Sequence, residues 1–127
     1  GISATLDPKP VPGDWNGAGM HTNFSTPATR SEGGYECIEK ILNVMSIRIK
    51  EHLDAYGDGY EIRLTGKHET CRYDEFRWGV SDRTASVRIP LQTQNEGKGY
   101  FEDRRPNANA DPYRVSTQLL TSCAMAD

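Results

Sequence analysis

Apolar residues are scarce in this chain. Across 127 residues the hydrophobic fraction is 35% and the mean hydropathy is −0.71, lean for a domain that closes its own core. No run approaches the roughly 18 apolar residues of a membrane-spanning helix, so no membrane contact is predicted. Basic charge is scarce as well: 15 lysines and arginines stand against 18 acidic residues, giving a net charge of −3 and a pI of about 5.6. A nucleic-acid surface needs a concentrated basic patch, and none is present. Lys98–Gly99–Tyr100–Phe101 echoes the opening of an RNA-recognition strand. Phe101 stands where that strand needs a small residue, and Glu102 and Asp103 would repel phosphate. The three cysteines, Cys37, Cys71 and Cys123, are odd in number and follow no metal-ligand spacing, so reduced thiols are predicted rather than a disulfide framework. Gly17–Gly19 leads into no lysine–serine pair, which excludes a Walker-type phosphate loop. No spacing supports a Ser/His/Asp or Cys/His set, and there is no internal repeat. The length suits one domain.

The stretch Asn16–Ser25 organises the rest. Two glycines flank Ala18, and His21, Asn23 and Ser25 follow at every second position. Glycine lets backbone N–H groups approach an anion closely. In an extended segment alternate side chains share a face, so His21, Asn23 and Ser25 face one way while Met20, Thr22 and Phe24 face the other. Such a strand suits phosphate and metal binding. The proline-rich Thr5–Gly13 delivers the chain to it as a stiff, extended approach.

Downstream, residues 31–57 read as one helix. Ser31 is a candidate N-cap, Gly57 a C-terminal cap, and Ile38, Ile41, Leu42, Met45, Ile49, Leu53 and Tyr56 recur at spacings of three and four. His52 lies near this stripe and reads as structural. Tyr60–Leu64 reads as a short extended segment, Thr65–Thr70 as a polar loop or flap, and residues 84–90 as a strand with Ala85, Val87 and Ile89 inward and Pro90 at its end. Gln92–Gly99 reads as a connecting loop. In an extended 100–105 segment, Glu102 and Arg104 share one face and Asp103 and Arg105 the other. Asp111–Pro112 opens a final helix through Val115, Leu119 and Cys123. The predicted class is α+β: an antiparallel, curved sheet with packed helices.

One polar face of that sheet gathers His21, Asn23, Ser25, Arg88, Glu102 and Arg104. Imidazole and carboxylate ligate a divalent ion, and arginines match phosphate or carboxylate through paired donors. The combination points to a nucleotide–metal–carboxylate site.

These residues also form a pattern that resembles a known family. Lys9–Pro10–Val11, then Trp15–Asn16–Gly17–Ala18–Gly19–Met20–His21 and Ser25, is similar to the ATP-region signature of glutamine synthetase of the eukaryotic type. Leu64–Thr70 (LTGKHET) and Gly99–Pro106 (GYFEDRRP) resemble two further blocks of that family, in order and at the right spacing, and the resemblance runs from about Thr5 to Val115.

The resemblance implies an enzyme that joins ammonia to L-glutamate at the expense of ATP through γ-glutamyl phosphate, with Mg2+ or Mn2+ as the cation. It implies that His21 and Glu102 ligate a metal, and that Asn16, Gly17, Arg63, Arg83 and Arg104 bind glutamate or its phosphorylated form. It places ATP against Asn23, Phe24, Ser25, Arg83, Arg88, Tyr100, Phe101 and Glu102. Glu69, Arg83 and Arg104 take catalytic roles, Glu69 as the flap residue that closes over the intermediate. Residues 1–127 are then expected to be a partial catalytic domain, its carboxy-terminal part. The family's amino-terminal β-grasp domain and the strands carrying further metal-binding glutamates are absent from the sequence. The expected whole protein is a ring-shaped, decamer-like homo-oligomer of the cytoplasm. The 127 residues alone are expected to be inactive and poorly soluble. The competing reading is a non-catalytic relative acting as a structural or nucleotide-binding protein.

Overall fold

The structure, a computed structural model, describes residues 1–127. Helix α1 (Gly34–Ile47) begins after Gly33, whose left-handed backbone (φ 79°) ends the preceding turn. It buries Ile38, Ile41, Leu42 and Met45, the residues the spacing selects. The single helix read over 31–57 is in fact two. At Arg48 the backbone leaves helical geometry (φ −121°, ψ 32°), its N–H bonds back only to the Met45 carbonyl, and α2 (Ile49–Ala55) starts immediately after it. The apolar spacing runs on across this break, so periodicity is silent about it.

Two further segments differ from the sequence reading. Tyr60–Leu64 is not extended: Tyr60–Arg63 is a helical turn, α3, entered through Gly59 (φ 84°) and closed by the Leu64 N–H on the Tyr60 carbonyl at 2.7 Å. The loop read over Gln92–Gly99 contains α4 (Leu91–Glu96), ended by Gly97 in the left-handed region. The final helix, α5 (Pro112–Met125), starts as read, with the Asp111 carboxylate accepting from the Tyr113 N–H at 2.9 Å.

The sheet has four short strands: β1 (Thr22–Phe24), β2 (Trp78–Val80), β3 (Val87–Ile89) and β4 (Phe101–Asp103), in the order β1-β4-β3-β2. β1/β4 and β4/β3 are antiparallel, while β3/β2 is parallel, so the sheet is mixed. β2 carries no sequence signal, because Trp78, Gly79 and Val80 show no alternation of apolar and polar side chains. The α+β class stands. Two layers enclose one core: Ile38, Ile41, Leu42 and Met45 of α1, Leu53 and Ala55 of α2 and Val115 and Leu119 of α5 meet Val87, Ile89 and Phe101 of the sheet.

Register decides what the opposite face carries. Asn23 of β1 pairs with Glu102 of β4, and Glu102 pairs with Arg88 of β3. Three polar residues thus form one row across the sheet. Their neighbours Val87, Phe101 and Asp103 are fully buried on the core side.

Candidate functional site

Beside that row lies a polar cleft of about 200 Å³, lined by Asn16, Gly17, Gly19, His21, Arg63, His68, Glu69, Thr70 and Arg104, with no apolar side chain among them. Four parts of the chain build it: the Asn16–His21 turn, α3, the Thr65–Thr70 flap, and the end of β4.

The glycines of the turn have a packing role that the sequence does not show. The Ala18 N–H is donated to the Pro8 carbonyl at 2.8 Å and the Met20 N–H to the Pro106 carbonyl at 2.9 Å, so both amides are spent within the fold. A Cβ on Gly17 would lie 2.6 Å from the Pro8 carbonyl oxygen and 2.9 Å from Arg63 Cγ. One on Gly19 would collide with the Arg63 guanidinium. Any side chain at Gly17 or Gly19 is excluded by Arg63, against which the turn lies.

His21 and Glu102 meet at the centre. Nδ1 of His21 lies 3.1 Å from Oε1 of Glu102, and the second carboxylate oxygen accepts from Arg88 Nε at 2.6 Å. Arg104 stands 3.6 Å from the same oxygen. Burial lowers the His21 pKa, and the positive charge of Arg104 adds to this against the opposing pull of Glu102. Imidazole is therefore neutral at neutral pH, the form that ligates metals. Adjacent ligands of an octahedral Mg2+, each about 2.1 Å from the ion, are about 3 Å apart, so the observed separation fits two neighbouring corners of such a site. The chain supplies these two ligands and no group of three. His21 and Glu102 thus fit part of a cation site, and a cation held there would need further ligands from elsewhere.

The arginines divide by environment. Arg88 is two-thirds buried and tied to Glu102. Arg104 is nearly buried, with NH2 donating to the Glu69 carbonyl at 3.3 Å and its Nε left without any partner in the protein. A buried guanidinium nitrogen without an acceptor is costly, and an anion in the cleft would supply one. Arg83 is exposed, 3.8 Å from the Glu69 carboxylate. Arg63 is committed to the backbone: it donates to the carbonyls of Arg104, Arg105 and Pro106 and to the Asn107 side chain, all within 3.0–3.3 Å. Burial first, then Arg104, pulls the Arg63 pKa down to about 10, which still leaves it charged at neutral pH.

The remaining candidates scatter around this centre. Asn16 is at the cleft, Asn23 is exposed on the polar face, and the Ser25 hydroxyl accepts from Arg30 at 2.7 Å. Phe24 is partly buried against Phe101, ring centroids 5.7 Å apart. Phe101 itself is fully buried, so its ring offers no surface to a ligand, while Tyr100 is 41% exposed. Glu69 sits on the flap with a left-handed backbone (φ 59°), as does His68 (φ 55°), a strained conformation for non-glycine residues.

Sequence reasoning missed His68 and Thr70. His68 Nε2 lies 2.7 Å from Asp14 Oδ1, joining the flap to the turn opposite, and the Thr70 hydroxyl donates to the Lys67 carbonyl at 2.6 Å, folding the flap on itself. No alternation or spacing marks a flap residue, so neither had a signal.

Comparison with known proteins agrees with these blocks. The chain is 59% identical over 119 residues, 94% of its length, to a cytosolic glutamine synthetase isozyme of Oryza sativa subsp. japonica, of which it covers 33%. It is 60% identical over 125 residues, 98% of its length, to a chloroplastic glutamine synthetase of Daucus carota, of which it covers 29%. A cytosolic isozyme of Arabidopsis thaliana is 56% identical over 122 residues, 96% of this chain and 34% of that protein. The match lies in the carboxy-terminal part of these relatives, and the chain spans about one third of their length. No family model matches the chain. No helix is long and apolar enough to cross a membrane.

Proposed function

We propose, for a chain that is a member of the glutamine synthetase family over the third of that enzyme it spans, that the native protein joins ammonia to L-glutamate with ATP hydrolysis to give L-glutamine. The residues described are the carboxy-terminal part of the catalytic domain. The observation that carries the reading is the row Asn23–Glu102–Arg88, with His21 on Glu102 and Arg104 beside it, His21 and Arg104 lining the adjacent, wholly polar cleft.

The reaction has two steps. A γ-carboxylate oxygen of glutamate attacks the γ-phosphorus of ATP, releasing ADP, and ammonia then displaces phosphate from the acyl phosphate. Phosphoryl transfer is mainly a matter of positioning and charge neutralisation. His21 and Glu102 hold a divalent cation, Mg2+ or Mn2+, which when bound neutralises phosphate charge. Arg88 and Arg83 face the ATP phosphates, and Asn23, Phe24, Ser25, Tyr100 and Phe101 flank the nucleotide, Phe101 through its backbone. Asn16, Gly17 and Arg104 hold glutamate. Arg63, tied to four acceptors, contributes charge and shapes the wall of the cleft, while Arg83 and Arg104 stabilise the transferring phosphoryl group. Glu69 on the flap covers the acyl phosphate against water and takes a proton from ammonium. The whole protein is a cytoplasmic homo-oligomeric ring.

The test is an assay of the native full-length protein for γ-glutamyl hydroxamate formed from glutamate, ATP and hydroxylamine. The wild type is expected to form it only with ATP and a divalent cation. Glu102→Gln is expected to lose at least 100-fold in kcat/KM, in line with the removal of one preorganised charge-stabilising group. A wild type without ATP-dependent hydroxamate formation, or an undiminished Glu102→Gln variant, would sink the reading.

A further inference from the structure

Below the cleft, on the core side of β4, lies a buried polar chain that the site chemistry does not use. Asp103 is completely buried between Glu102 and Arg104. Its Oδ1 accepts from the Arg105 N–H at 3.1 Å and from Arg105 Nε at 2.9 Å. Its Oδ2 accepts from Arg105 NH2 at 2.8 Å and from the Tyr56 hydroxyl at 2.7 Å. Four donors thus saturate the carboxylate. The Arg105 guanidinium is itself sandwiched, 5.3 Å from the centroid of Tyr56 and 5.0 Å from that of Phe76.

The chain continues away from the sheet. His52 Nδ1 lies 2.6 Å from the Tyr56 hydroxyl, and His52 Nε2 lies 2.6 Å from the Ser122 hydroxyl. The donors can be ordered from one end. The Tyr56 proton goes to Asp103, so the Tyr56 oxygen accepts from His52, which must carry its proton on Nδ1. Nε2 is then an acceptor, and Ser122 donates to it. Every hydroxyl and ring nitrogen in the chain is paired, and the order runs one way from α5 through α2 to β4.

We propose that His52 and Tyr56 are positioning residues of the site: with Ser122, Asp103 and Arg105 they lock β4 so that Glu102 is held against His21 and Arg104 is turned into the cleft. The proposal rests on the function inferred above. Its physical basis is the strand itself. Residues alternate faces along β4, so the side chain anchored on one face fixes the direction of its two neighbours on the other. Asp103 is that anchor, and Tyr56 is its only tether to a helix. The Arg104 side chain has no comparable tether within the cleft, since its Nε is unpartnered and its one side-chain hydrogen bond is to the flap carbonyl. Within the buried network Asp103, Tyr56, His52 and Ser122 are all paired, and the one buried nitrogen without a hydrogen-bond partner, NH1 of Arg105, belongs to a guanidinium held against the rings of Tyr56 and Phe76.

The test uses the native full-length protein and the variants Tyr56→Phe and Ile38→Val. The first removes one hydroxyl and leaves the ring, so that His52 Nδ1 and Asp103 Oδ2 each lose a partner. The second trims one methylene from the core in α1, away from the network. Tyr56→Phe is expected to lower kcat for ATP-dependent glutamine formation about 10- to 100-fold, the scale of a misplacement near 1 Å, with KM for glutamate changed less than threefold. Ile38→Val is expected to stay within twofold of the wild type in kcat. A kcat within twofold of wild type for folded Tyr56→Phe, or an equal fall in both variants, overturns the proposal. Amide hydrogen exchange reads the same claim without catalysis: the Arg104 and Arg105 amides are expected to exchange at least 10-fold faster in Tyr56→Phe, with α1 unchanged. Unchanged exchange at those amides overturns the positioning role even if the wild type proves inactive, whereas an inactive wild type with accelerated exchange counts against the proposed function alone. Should Tyr56→Phe fail to fold, Ser122→Ala, which removes only the far end of the chain, is held to the same exchange criterion at a threefold threshold.

Discussion

At the scale of single residues, burial decides what each histidine does. His21 and His52 both have pKa values lowered chiefly by burial, but only His21 opens onto the cleft; His52 is sealed between two hydroxyls and its pKa falls to about 4. That has a thermodynamic consequence with a definite sign. The unfolded chain takes up a proton on His52 near pH 6.5, and the folded chain does so only near 4, so the contribution of neutral His52 to stability is intact above 6.5 and is lost as pH falls between the two. The span corresponds to on the order of 3 kcal/mol. His52→Gln is expected to be less stable than the wild type at pH 7 in urea unfolding, with the gap closing as pH falls from 6.5 towards 4. A gap that stays constant or widens would show that His52 does not titrate as the buried geometry requires. Residue identity alone revealed part of this. The alternation of Glu102 and Arg104 against Asp103 and Arg105 is visible in the sequence, and it places two charges on the core-facing side of a strand, where only mutual pairing keeps them. That Tyr56 and His52, about 50 residues earlier, complete the pairing is a three-dimensional fact with no spacing to announce it.

Elements were legible where they carry a period and obscure where they are short. The stripe from Ile38 to Tyr56 was evident, and the break at Arg48 was not, because the same stripe serves two helices. Asp111–Pro112 marked α5 because a cap is a local chemical event. The turn α3 was misread as extended, yet it matters most to the cleft, since it carries Arg63 beneath Gly17 and Gly19. The flap was legible as polar chain and nothing more. In three dimensions it is held to the rim by two bonds, His68 to Asp14 and the Glu69 carbonyl to Arg104, and two successive residues carry left-handed backbone to make them. Asp14→Asn removes the charged partner of His68 at an exposed contact, so it acts on the flap without loading the core. Hydrogen exchange across residues 66–70 is expected to rise several-fold in that variant, with thermal stability shifted by less than 2 °C, because exposed ion pairs contribute little to global stability. Unchanged exchange in the flap would mean that the Asp14 contact does not restrain it.

At the scale of the molecule, the polar face and the apolar core are two sides of one four-stranded sheet; α1, α2 and α5 pack on the core side, while α3 brings Arg63 to the cleft. The cleft gathers two arginines, two histidines and one carboxylate from residues 16 to 104, so segments far apart in the chain are needed to assemble it. It also brings just two cation ligands together. The proposed function has one central chemical requirement in the native protein: phosphorylation of the γ-carboxylate of glutamate before nitrogen arrives. Glutamate labelled with 18O in both γ-carboxylate oxygens, incubated with the native protein, ATP, a divalent cation and ammonium, tests this most directly by mass spectrometry of the released phosphate. One 18O per phosphate, appearing in step with glutamine, is the predicted result, because the oxygen that attacks phosphorus leaves with it. Glutamine formed alongside unlabelled phosphate, or no glutamine at all, would contradict it.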